Sequence, residues 1–156
     1  MLDSTANEQG TYSKKLHISW EKLFEDTIAL AEALKNQGPW QGIIAVTRGG
    51  LVPAGLLSQA MNIKMIDTLC ISSYDYQDQG DLVVLKSPEG IGKGKGWLVV
   101  DDLVDTGKTF VRAREIFPEA HFACIYAKPL GAEKSDTYIE EVSQETWVCF
   151  PWEIED

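Results

Sequence analysis

A chain of 156 residues with 44% hydrophobic and 24% charged side chains is long enough for one domain with a real core and too short for two ordinary ones. Its formal charge of −10 repels nucleic-acid phosphates, and no Lys/Arg-rich stripe interleaved with aromatics offsets that field, so no nucleic-acid partner is expected. No apolar run reaches the roughly 20 residues of a membrane-spanning helix, and an anionic small molecule must be held locally, by backbone N–H groups, a metal ion or a few placed cations.

The polar stretch 1–13 lacks the apolar core of a secretory signal and reads as a loose N-terminal arm on a cytoplasmic protein, with 14–156 as the single domain. Peripheral contact with the inner face of the cell membrane is compatible with that location. Cys70, Cys124 and Cys149 are widely spaced among apolar neighbours, which suits buried reduced thiols rather than a zinc site.

Ser19 can cap a helix whose apolar positions Trp20, Leu23, Phe24, Ile28, Ala31 and Leu34 recur at helical steps before Gly38 and Pro39 stop it. Residues 42–47 form a continuous apolar run ending in Arg48, Gly49 and Gly50, the pattern of a buried parallel strand entering a tight loop. A second helix is predicted over 51–61, with Pro53 in its first turn. Strands follow at 65–72 and 82–85, separated by a polar loop.

The alternation of glycine with Ile91, Lys93 and Lys95 over 90–96 faintly resembles a phosphate loop and more simply reads as a turn. Beyond it come a strand at 97–100, a helix at 108–116, a strand at 121–127 and strand-like segments at 138–142 and 147–150. Strands alternating with helices imply an α/β fold built on a right-handed, mainly parallel sheet.

In such a sheet ligands bind beyond the carboxyl ends of the strands, and the order of residues 97–102 puts Asp101 and Asp102 there. One carboxylate can accept from ribose hydroxyls while its neighbour helps hold a hydrated Mg²⁺. Asp105, Thr106, Gly107, Lys108 and Thr109 then lead into a helix, so backbone N–H groups, two hydroxyls and a helix dipole converge on one terminal phosphate. Taken alone, Asp-Thr-Gly also reads as a capped helix start. A nucleoside-triphosphate loop is ruled out, because it needs glycine where this chain has Asp102.

The segment 99–109 (VVDDLVDTGKT) resembles the phosphoribosyl pyrophosphate motif of type I phosphoribosyltransferases. Residues 44–53, 70–75, 127–129 and 147–152 are similar to those of the family's bacterial xanthine-guanine members, so the likeness covers most of the chain from Trp20 onward. It implies a mainly parallel twisted sheet flanked by helices, with a small hood and a flexible loop. The implied activity is Mg²⁺-dependent conversion of xanthine, guanine or hypoxanthine plus phosphoribosyl pyrophosphate to the nucleoside monophosphate and pyrophosphate, a purine-salvage reaction.

By the same resemblance, Asp101 and Asp102 take the ribose hydroxyls, with Asp102 on the metal side, and residues 105–109 wrap the 5′-phosphate. Thr47 to Gly50 is similar to the family's pyrophosphate loop, where a non-proline cis bond turns N–H groups inward and Arg48 and Gly49 meet the pyrophosphate. Lys128, Trp147 and the backbone of Val148 would form the base site, with Asp105 as the catalytic group handling the proton at N7. On spacing alone Arg48 and Lys128 would be solvated cations and Trp147 core packing. A homo-oligomer, tetramer or dimer, is also implied.

Two departures stand out. Gly80 lies where an arginine is expected in the closing loop, and the chain ends at Asp156, short of an apolar tail, which should leave an edge less covered or shift the subunit contacts. The missing arginine supports an alternative, a non-catalytic phosphoribosyl-pyrophosphate-sensing regulator of the same fold. Such sensors usually need a basic face that this chain lacks.

Overall fold

The computed structural model describes residues 12–73 and 81–154. Residues 1–11 of the predicted arm lie outside these, as do 74–80 of the polar loop, Gly80 included. The chain order is β1 (Lys14–His17), α1 (Trp20–Leu34), β2 (Gly42–Thr47), α2 (Leu51–Met61), β3 (Ile66–Ser73), β4 (Leu82–Lys86), β5 (Trp97–Val104), α3 (Lys108–Ile116), β6 (His121–Ala127), β7 (Glu140–Glu141) and β8 (Thr146–Cys149).

A six-stranded sheet has the order β4-β3-β2-β5-β6-β7, in which only β4 runs antiparallel. The alternation of β2 explains the layering. Ile43 and Ala45 face one cluster with Leu23, Leu30 and Leu34 of α1 and Leu57 of α2, while Ile44 and Val46 face another with Phe110 and Ala113 of α3. Helices therefore cover both faces, as a buried parallel sheet requires. β1 and β8 pair separately as a small two-stranded parallel ribbon.

The Ser19 hydroxyl accepts from the Lys22 N–H at 3.0 Å, fixing the start of α1 as its cap. The buried stripe of that helix is Leu23, Thr27, Leu30, Ala31 and Leu34, and the expected core positions Trp20 and Phe24 are instead 55% and 53% exposed. Thr27 enters the stripe because its hydroxyl donates to the Leu23 carbonyl at 2.6 Å, which satisfies its polar atom in place.

Two further boundaries differ from expectation by more than one residue. β5 continues four residues past Val100, carried by its pairing with β6 as far as Val104 opposite Ala127. β7 shrinks to Glu140–Glu141 because only these pair with the end of β6. The glycine-rich stretch 90–96 is a turn whose four glycines all have positive φ. It leads into the amino end of β5, at the opposite end of that strand from the acidic residues.

The α1 stripe yields a stability prediction. Leu30 has 0% exposure against the sheet, so Leu30→Ala should cost about 2–5 kcal/mol through lost burial and a residual cavity. Urea unfolding should show a lowered midpoint at unchanged slope; a midpoint within error of wild type would mean that α1 does not carry this core.

Candidate active site

The sheet changes direction between β2 and β5: from β2 the chain moves out to β3, and from β5 it moves the opposite way to β6. The crevice at the carboxyl ends of this central pair is the place where open α/β sheets bind ligands. β2 pairs with β5 only as far as Ala45 opposite Val100, whereas β5 stays paired with β6 to Val104. Asp101 and Asp102 thus sit inside β5, on the stretch that β2 has already left, rather than beyond the strand end.

The loop after β2 curls into that opening. Its Thr47–Arg48 peptide is cis, and a Cβ on Gly49 would stand 2.6 Å from both carboxylate oxygens of Asp102, so only a residue without a side chain fits there. Arg48 is exposed. The structure therefore brings Gly49 and Asp102 together, as the spacing of the two motifs alone could not show.

Downstream of β5, the segment 105–107 turns into α3 through Gly107, which caps the helix at φ 87, a left-handed value suited to glycine. A cavity of about 130 Å³ is lined by Asp101, Leu103 and all of Val104 to Phe110. It includes every residue read from the sequence as a phosphate cradle, and it opens at the amino end of α3, where N–H groups and the dipole favour an anion.

Asp105 organises the far side. Its Oδ2 accepts from Lys128 Nζ at 3.2 Å and from the Tyr12 hydroxyl at 3.1 Å, and its Oδ1 accepts from Gln144 Nε2 at 2.6 Å. Lys128 follows β6, and its side chain is only 1% exposed. A buried ammonium needs a counter-charge and Asp105 supplies it. Trp147, half-buried on β8, lies edge-on to Tyr12 with ring centroids 5.2 Å apart. The Val148 side chain is buried in the core, which leaves its main chain for any ligand contact.

Asp105, Lys128 and Trp147 are thus assembled around one point from loops and strands distant in sequence. Tyr12 and Gln144 were missed by sequence reasoning. Tyr12 falls in a polar arm with no motif, and Gln144 has only its nearness to Trp147 to recommend it. Among the described residues no group of three or more histidines, cysteines or acids forms a metal cage.

Electrostatically the acid pair is the costly part of the site. Asp101 Oδ1 accepts from the Asp102 N–H at 2.9 Å and Asp102 Oδ1 from the Leu103 N–H at 2.6 Å. Burial, then the adjacent Asp102 charge, nevertheless holds Asp101 well above the usual carboxylate range. Burial raises Asp102 as well, against the lowering effect of its hydrogen bonds.

Comparison with known proteins identifies the family. The phosphoribosyl transferase domain family matches residues 19–156. The xanthine-guanine phosphoribosyltransferase of Nitratidesulfovibrio vulgaris (strain DP4) is 51% identical over 145 residues, covering 92% of this chain and 88% of that protein. That of Cereibacter sphaeroides is 46% identical over 153 residues, covering 94% and 92%. Among solved structures, the purine phosphoribosyltransferase of Pyrococcus horikoshii superposes with a TM-score of 0.79 at 32% identity, covering 91% of this chain and 96% of that one.

The raised acid pair has a signed consequence for stability. Below the unfolded carboxyl pKa both states are protonated; as pH rises from there to the raised folded value, the unfolded chain ionises while the native state still holds its proton, and stability is lost across that window. Asp101→Asn should therefore raise unfolding stability by about 0.5–2 kcal/mol near neutral pH. Thermal melts across pH should show that gain shrinking toward about pH 4. A gain that is constant with pH would exclude ionisation as its source.

Proposed function

The chain belongs to the phosphoribosyl transferase family, and from that premise we propose that it transfers the phosphoribosyl group of phosphoribosyl pyrophosphate to xanthine, guanine or hypoxanthine, releasing pyrophosphate. The observation that carries this reading is the Lys128–Asp105 contact beside Trp147, next to the cavity at the start of α3. Identity of about half to curated xanthine-guanine phosphoribosyltransferases supports it over most of the chain's length.

The roles follow from donor chemistry. An ammonium only donates, so Lys128 meets the 6-oxo group of these purines and rejects the 6-amino group of adenine. Trp147 stacks on the base and the Val148 main chain faces its 2-position. Thr106, Gly107, Lys108 and Thr109 hold the 5′-phosphate, Asp101 and Asp102 the ribose hydroxyls, and Arg48 with the Gly49 main chain the pyrophosphate.

As the bond from base nitrogen N9 to the anomeric carbon forms, the bond to pyrophosphate breaks, and Asp105 takes the proton released at N7. Positive charge builds on the ribose during this exchange, and Asp101 and Asp102, bonded to its hydroxyls, would stabilise it.

The pair also fits Mg²⁺, a hard ion held by one or two carboxylates together with substrate oxygens rather than by a full protein cage. Asp102 would hold it, and when bound it would neutralise the departing pyrophosphate. The same reading places the activity in one domain, 14–156, of a cytoplasmic homodimer or homotetramer. The exposed apolar Trp20 and Phe24 of α1 are available for subunit contact.

A radiolabelled-base assay tests the function: with Mg²⁺ and phosphoribosyl pyrophosphate, guanine, xanthine or hypoxanthine should be converted and adenine should not. Failure with all three 6-oxopurines while phosphoribosyl pyrophosphate still binds would overturn the reading. Lys128→Met should lower kcat/KM for guanine about ten- to a hundredfold, the worth of one charged hydrogen bond. Asp105→Asn should slow kcat by about 10²–10⁴ while changing phosphoribosyl pyrophosphate affinity far less.

A further inference from the structure

Tyr12 belongs to no motif, yet its side chain meets all three side chains assigned above to the base. Its ring lies edge-on to Trp147 at 5.2 Å, the Lys128 ammonium sits over its face 4.5 Å from the centroid, and its hydroxyl donates to Asp105 Oδ2 at 3.1 Å. We propose that Tyr12 is an intramolecular competitor for the base site, occupying the place of the purine ring and yielding to it on binding. The proposal rests on the reading of Asp105, Lys128 and Trp147 as base residues.

The three contacts parallel those of a 6-oxopurine, more weakly at Trp147, where Tyr12 lies edge-on rather than stacked, and at Lys128. The phenol O–H offers Asp105 a donor, as purine N7–H would. The ring offers Trp147 an aromatic partner. To Lys128 it offers only a π face, where the purine offers a carbonyl oxygen, so the base binds the ammonium better than Tyr12 does. Asp105 Oδ2 already accepts from both Lys128 and Tyr12, so a purine N7–H that bonds this oxygen takes the place of the Tyr12 hydroxyl.

The chain next to Tyr12 keeps the competitor close. Ser13 N–H donates to the Glu145 carbonyl at 3.0 Å, and β1 pairs with β8 in a register that sets Lys15 opposite Trp147. A ring tethered this way re-enters the site without diffusing to it, at high effective concentration. Such a competitor lowers the apparent affinity of every base by one common factor and leaves their ranking unaltered. Ligands that carry no base are untouched.

The test is calorimetric titration of the full chain and its Tyr12→Ala and Tyr12→Phe variants with GMP, XMP and ribose 5-phosphate. If Tyr12 occupies the site in about 70–90% of molecules, Tyr12→Ala tightens GMP and XMP equally, by about three- to tenfold. Tyr12→Phe, which keeps the ring and loses the donor, tightens them by less, and ribose 5-phosphate binds all three proteins alike. Weaker or unchanged nucleotide binding by Tyr12→Ala overturns the proposal and leaves the base-site reading standing. If wild type binds ribose 5-phosphate but gains nothing from a purine on it, the base-site reading itself fails and this inference falls with it.

Discussion

An ammonium buried to 1% exposure cannot stand without a counter-charge, and the contact between Lys128 and Asp105 is the constraint on which the arrangement of the site turns. It ties the loop after β5 to the loop after β6. The Lys128 main chain reinforces the tie, its N–H donating to the Val104 carbonyl at 2.9 Å. With those two loops locked, the start of α3, the Gly107 turn and the cavity beside it are held in one place. Gln144, between β7 and β8, reaches the same carboxylate: its amide donates to Asp105 while its oxygen accepts from the Leu130 N–H at 3.0 Å.

The other acids stand in contrast. Asp105 is fully partnered by donors, whereas Asp101 and Asp102 share a crevice with each other and with little to offset their charge. Desolvating two neighbouring carboxylates destabilises a fold, so their presence on a strand otherwise made of Trp, Leu and Val is an expense of function rather than of architecture. Gly49 shows the same priority. The loop backbone is pressed against Asp102 so closely that any side chain would displace the carboxylate.

The parts that could be read from sequence are those fixed by local pattern. β2, α2, α3 and β6 agree with their predicted limits because continuous apolar runs, helical spacing and turn residues all act within a few positions. The segment 99–109 is a local pattern of the same kind, and Asp101 and residues 103–109 of it line one cavity at the start of α3. What escaped was set by partners remote in sequence. β5 runs on past Val100 only because β6 continues beside it, and Trp20 and Phe24 are exposed because the sheet meets the Leu23–Leu30 side of α1. β1, short and polar, exists through its pairing with β8. Tyr12 and Gln144 reach Asp105 across 93 and 39 residues, and no spacing rule operates over such distances.

A net charge of −10 looks hostile to a ligand as anionic as phosphoribosyl pyrophosphate. The structure resolves the conflict by range. At physiological ionic strength the screening length is about 8 Å, so acids scattered over the surface act weakly on the crevice. Within it the governing groups are few and close: the N–H groups and dipole at the start of α3, the exposed Arg48 beside the crevice, and the Lys128 ammonium. The half-buried acid pair lies among them and would make the crevice repulsive on its own. Its charge is compatible with an anionic ligand only if a cation arrives with that ligand or protons remain on the pair. On the proposed function, in which Mg²⁺ is that cation, affinity for the sugar pyrophosphate and affinity for the metal would be linked, each raising the other by the same factor.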